Sequence, residues 1–108
     1  MTTEALNPLV RAAIEAMNAR NRQAWFSLFA DDTVLTDDGS VRDFIQWSDS
    51  EFFGKTKAYL MSVDRVEDDG MTIYGRFHSD QWGEFDTFMK FKIQGDKIRR
   101  LDVGQVDA

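Results

Sequence analysis

After Asn7 the apolar residues recur as Leu9, Val10, Ala13, Ile14 and Met17, the i, i+3, i+4, i+7 spacing that lays one helix face against a core. Asn7 can cap that helix, and Pro8 falls at its first position, where the missing N–H costs nothing. Asn21 offers a second cap ahead of Trp25, Phe26, Leu28 and Phe29, which predicts a second short helix at a tight corner to the first. The period then changes. Residues 33–36, Thr-Val-Leu-Thr, are β-branched and bounded by acids, predicting one short strand that leads into an Asp38-Gly39 turn. Ser40 with Asp43, and Ser48 with Glu51, each have the spacing of a cap and its third residue. Two short helical pieces are therefore predicted across 41–53, with Phe44, Ile45, Trp47, Phe52 and Phe53 on their buried side and Gly54 ending them.

From Lys57 onward the chain alternates between apolar and polar residues. The runs AYLMSVDRV, MTIYGRFH, EFDTFMKFKI and KIRRLDV are separated by the turn signals EDDG, SDQWG and QGD, which predicts four antiparallel strands joined as hairpins. Met71, Ile73, Gly75 and Phe77 share one face, as do Phe85, Met89, Phe91 and Ile93 on the next strand, while Tyr74, Arg76 and His78 point the other way. A register break near Gly75 would exchange those faces. Helices first and sheet afterwards define an α+β domain with the helices on one sheet face, and 108 residues suit a single domain spanning 1–108.

Composition changes the picture in three places. Hydrophobic residues make up 43% and aromatics 13%, more bulky volume than a minimal core needs, which implies a lined cavity, a self-association face or simply a large aromatic core. A net charge of −6 with scattered Lys and Arg argues against nucleic acid and anionic membranes as partners. With no cysteine and one histidine, thiolate and His-based metal sites are excluded. Calcium fares no better: with Gly39 at the sixth place of an EF-hand loop, Val34 falls first and Ile45 twelfth. MTTEALNPLV lacks the pattern of a secretory signal, and no window reaches the ~18–20 apolar residues of a membrane span, so a cytoplasmic protein is expected.

The leading stretch NPLVRAAIEAMNARNRQAWFSLFADDTVLTDDG and the hairpin series VEDDGMTIYGRFHSDQWGEFDTFMKFKIQGDKI together resemble the nuclear transport factor 2-like superfamily, which includes SnoaL-like polyketide cyclases and steroid isomerases. The resemblance covers nearly the whole chain. It is nearest to short bacterial members carrying DDGS and a Trp-Gly-Glu hairpin. It implies a cone-shaped, cystatin-like fold with N-terminal helices on a curved, mainly antiparallel sheet. It also implies an aspartate inside the cone at Asp37, which strand parity places on the same side as Leu35. The hydrogen-bond donors of the steroid isomerases would fall at Ala13 and near Met89, so the groups that stabilise an enolate oxygen are missing and steroid isomerisation is not expected.

Asp31, Asp32 and Asp38 read as solvated turn or helix-end residues, and His78 as a residue of the outer sheet face. Two functions from different classes follow. In one, the cone binds a small hydrophobic molecule among Leu9, Ala13, Trp25, Phe29, Phe44, Trp47, Trp82, Met89 and Phe91, with Asp37 as a base for cofactor-free isomerisation, cyclisation or dehydration. In the other, the aromatics fill the cone and the protein is a non-catalytic dimerisation or scaffold module. Relatives of this fold commonly pair through the outer sheet face, which here carries Tyr74, Phe88 and His78 among Arg76, Lys90 and Lys92, so a homodimer is expected.

Overall fold

The structure is a computed structural model that describes residues 6–106; the reading of residues 1–5 as lacking a signal lies outside them. Helix α1 (Pro8–Asn18) is capped by the Asn7 side chain, which accepts the Leu9 N–H at 2.8 Å, and α2 (Arg22–Ser27) by Asn21, which accepts from Ala24 at 3.0 Å. Both caps are the ones the sequence offers, because a cap needs only a short polar side chain beside free amides. There follow strands β1 (Phe29–Asp37) and β2 (Ser40–Arg42), helix α3 (Phe44–Glu51), and strands β3 (Ala58–Glu67), β4 (Thr72–Ser79), β5 (Gly83–Gln94) and β6 (Lys97–Gln105). They form one six-stranded sheet in the order β2-β1-β6-β5-β4-β3, antiparallel throughout except for the parallel pair β1–β6. The three helices pack on its concave face. No helix of the described residues is long and apolar enough to cross a membrane.

Local expectation and structure differ around residues 29–51. Strand β1 starts at Phe29 rather than Thr33, because its edge is paired: Phe29 lies opposite Ile98 and the Ile98 N–H donates to the Leu28 carbonyl at 2.9 Å. Asp31 and Asp32 are thus exposed strand residues, not a helix end, and Asp32 forms an ion pair with Arg99. Ser40 opens a strand instead of capping a helix. Asp38 and Gly39 both take positive φ, the backbone of a tight hairpin, and send Ser40–Arg42 back along β1. The second of the two helical pieces does not exist either. Asp43 caps a single helix, accepting from Gln46 at 2.9 Å, and Ser48 sits buried within it, where its Oγ accepts the Trp25 Nε1–H at 3.1 Å.

The sheet faces are as the alternation predicts. β4 and β5 pair without a shift, so Ile73 faces Met89 and Phe77 faces Phe85 on the concave side. The irregularity lies on the neighbouring strand, between Leu60 and Ser62 and again between Val63 and Arg65 of β3. His78 therefore stays on the convex face, its ring 5.0 Å from that of Tyr59. It is held between Asp80, 2.7 Å from Nε2, and Glu84, 3.2 Å from Nδ1, and these carboxylates raise its pKa above the usual histidine value.

Candidate functional site

The site begins with the parity of β1. Leu35 lies opposite Leu101, and two residues on Asp37 lies opposite Val103, so both point to the concave face; Val103 in turn faces Met89 on β5. Leu35 is covered by the helices, whereas Asp37 emerges where β1 and β6 run out beyond them. There the concave face keeps a cavity of about 480 Å³. Its deeper wall is apolar, made by Trp47, Phe52, Phe77, Phe85, Met89 and Val103. The rim is polar: Asp37, Asp38, Arg42, Glu51, Glu84 and Gln105 line it, and Trp82 at the β4–β5 turn stands over it with 64% of its surface exposed.

Two carboxylates on this cavity each meet an indole. The Trp47 Nε1–H donates to Asp37 Oδ2 at 2.9 Å, and Trp82 lies beside Glu51 on the same rim. Trp47 and Glu51 are four residues apart on α3, which stacks them on one helix face. Asp37 thereby comes close enough to Glu51 to act on its charge. Burial pushes the Glu51 carboxyl above the ordinary 4.5, the neighbouring Trp82 indole opposes this, Asp37 adds to the rise, and Arg42 offsets part of it. Because the folded-state pKa exceeds the unfolded one, the folded protein holds an extra proton between the two values, and stability falls as pH rises through that window. Glu51→Gln is accordingly expected to raise the urea midpoint at pH 7 and to leave it unchanged at pH 3.5. A lower midpoint at pH 7 would show that Glu51 is a stabilising partner of Arg42 instead.

Of the residues expected around a ligand, Asp37, Trp47, Trp82 and Met89 line this cavity. Leu9, Ala13, Trp25, Phe29, Phe44 and Phe91 do not; they belong to the closed core or pack against it. The reason is mutual packing. Trp25 meets Phe29 at 4.7 Å and Phe52 at 5.3 Å between ring centroids, and Phe29 meets Phe44 at 4.5 Å, which fills the narrow end of the concave face with rings. Glu51 was not foreseen as a site residue. The signal was its four-residue spacing from Trp47, hidden by dividing α3 into two pieces. Asp38 does more than form a turn, since its Oδ1 also accepts the Gln105 N–H at 3.0 Å and ties the β1–β2 turn to the end of β6. Among the described residues no group of three or more His, Asp or Glu side chains is arranged to hold a metal ion.

No family model matches the chain, and no curated protein matches it in sequence. Solved structures do match in shape. A protein from Sphaerobacter thermophilus superposes with a TM-score of 0.73 at 19% identity, over 93% of this chain and 94% of its own. A candidate polyketide cyclase from Sinorhizobium meliloti gives 0.71 at 16% identity, over 95% and 99%. A candidate ketosteroid isomerase from Kribbella flavida gives 0.70 at 15% identity, over 97% of this chain and 80% of its own. The chain thus has the nuclear transport factor 2-like, or cystatin-like, fold. The likeness at these identities is one of fold. At the two places where the resemblance to steroid isomerases puts their donors, this chain has the fully buried Ala13 and the cavity-wall Met89, and neither side chain can donate a hydrogen bond.

Proposed function

We propose that the protein binds a small, largely hydrophobic molecule in the cone and can exchange a proton with it through Asp37 and Glu51. One observation carries this reading: a cavity of about 480 Å³ with an apolar inner wall and two carboxylates on its rim. Ligand cavities commonly run from ~300 to ~1,000 Å³, and a scaffold with a filled cone would leave far less space. Asp37, fixed by the Trp47 indole, is the base in this scheme, and Glu51, whose proton is held more tightly than usual, is the group that returns it. Without donors at Ala13 and Met89, the chemistry is cofactor-free isomerisation, cyclisation or dehydration of a substrate that carries its own electron sink, not steroid isomerisation.

The test is a panel of aromatic and polyketide-like compounds followed by tryptophan fluorescence, which Trp47 and Trp82 report directly. Saturable shifts at micromolar concentration are expected, and Trp82→Ala should weaken them. A panel without a single shift at high micromolar concentration would defeat the reading. For any substrate so found, Asp37→Asn should abolish turnover while changing stability by less than ~1 kcal/mol, because the amide oxygen can still accept the Trp47 N–H.

We also propose a homodimer through the convex face. Tyr74 and Phe88 lie side by side there in register, half-buried, with Arg65 over the Tyr74 ring at 4.0 Å and Lys90 near Phe88 at 5.6 Å. This apolar pair ringed by charge has the make-up of a small interface core. Sedimentation at micromolar concentration should show twice the 12.5 kDa chain mass, and a single 12.5 kDa species would refute the pairing.

A further inference from the structure

The groups around the cavity restrict what can enter it. Its described rim residues turn two carboxylates, Asp37 and Glu51, toward it against one guanidinium, Arg42. The carboxylates of Asp38 and Glu84 are turned to the convex face, where Asp38 accepts the Gln105 N–H and Glu84 meets His78. Asp37 and Glu51 differ from them: both face the cavity, Asp37 accepts the Trp47 indole N–H, and Arg42 offsets only part of the repulsion between the two like charges.

Two polar hydrogens of the inner wall are committed elsewhere. Trp47 donates to Asp37, and the Thr87 hydroxyl to the Gly104 carbonyl at 2.7 Å. Beside the Arg42 and Gln105 donors of the rim, a ligand meets acceptor oxygen and aromatic surface: Trp82 over the mouth, and Phe77 and Phe85 paired at 5.7 Å on the floor. An anionic ligand would meet two carboxylates for the one Arg42 guanidinium. A positive ligand would relieve the repulsion between the carboxylates and face the electron-rich rings as well.

We infer that the ligand class of this cavity is a cationic amine, an ammonium or alkylammonium group carried on an apolar body, with the charge between Asp37 and Glu51 beneath Trp82. The inference rests on the binding reading above and narrows it. The apolar body fills the Phe77, Phe85 and Met89 end, and the cation stays near the rim, where it keeps part of its hydration. Size permits this, since a cavity of about 480 Å³ is well above the ~150 Å³ that holds a benzene ring.

The experiment compares three probes of nearly equal shape on the full chain: benzyltrimethylammonium, neopentylbenzene as its uncharged isostere, and phenylacetate. Binding is read by tryptophan fluorescence and calorimetry at low salt. Benzyltrimethylammonium should bind at least about tenfold more tightly than the other two, the ratio one desolvated cation–ring contact or ion pair supplies. Added salt should erode that preference. The double variant Asp37→Asn, Glu51→Gln should bring the ammonium and the uncharged isostere to within about twofold of each other, since the charge carries the discrimination. Neopentylbenzene or phenylacetate binding as tightly as the ammonium would overturn the cationic class while leaving the cavity a binding site. No binding of any of the three would overturn both readings. A preference for the ammonium that survives in the double variant would place the cation elsewhere and also overturn the inference.

Discussion

Trp25→Ala is expected to destabilise the protein by about 3–5 kcal/mol, the range for removing a large buried aromatic. Trp25 has 0% exposure and touches the rings of Phe29, Phe44, Phe52 and Phe53, so one truncation removes contacts from α2, α3 and β1 together. Its Nε1–H donates to the fully buried Ser48 hydroxyl at 3.1 Å, and truncation would leave that oxygen without its donor. Since domains of this kind are stable by only ~5–15 kcal/mol, the variant should be marginal at room temperature. Trp25→Phe keeps most of the packing and should lose about 1–2 kcal/mol, chiefly the hydrogen bond and the smaller ring. Urea midpoints of the three proteins decide the matter. A loss below ~1 kcal/mol for Trp25→Ala would mean that this side chain walls an open space after all.

Gly75→Ala should be comparably damaging, although it adds a single methyl group. A Cβ on Gly75 would stand 2.0 Å from the Ser62 carbonyl oxygen and 3.2 Å from Leu60 Cδ1. The oxygen belongs to the backbone and cannot rotate away, so β3 must separate from β4 where its register already shifts. Overpacking a well-filled interior costs about 1–3 kcal/mol, and a clash with backbone belongs at or above the upper end. Gly39→Ala is the control. Nothing lies within 4 Å of its Cβ, and only its φ of +86° resists a side chain, so about 1 kcal/mol is expected there. Thermal melts with amide exchange along β3 and β4 would separate the two. Gly75→Ala melting within a degree or two of the parent would show that β3 gives way without cost.

Both variants test features that local pattern could not supply. The sequence presents Trp25 as one more aromatic on a short helix and Gly75 as a small residue on a strand face. Their importance comes from partners far along the chain: Ser48 and Phe52 for the one, Ser62 for the other. The expectation that Trp25, Phe29 and Phe44 face a ligand was a reasonable use of composition. It did not hold because rings that can meet one another at 4.5–5.3 Å close their own space.

Sequence by itself determined what depends on near neighbours. Asn7 and Asn21 cap helices wherever those helices sit, and strict alternation in β4 and β5 assigns Ile73, Phe77, Phe85 and Met89 to one face because successive side chains must oppose. Parity also put Asp37 on the side of Leu35, and the family resemblance put it inside the cone, whereas the face of His78 depended on an unbroken register along β4 that only the structure supplies. The tertiary structure alone decided the rest. The length of β1 was set by pairing with β6, the joining of α3 into one helix by the burial of Ser48 against Trp25, and the meeting of Asp37, Glu51 and Trp82 around one cavity by the curvature of the whole sheet. Each of these depends on surfaces brought together from segments tens of residues apart. Hydrogen-bond partners and burial are properties of that meeting, and a local run of residues does not contain them.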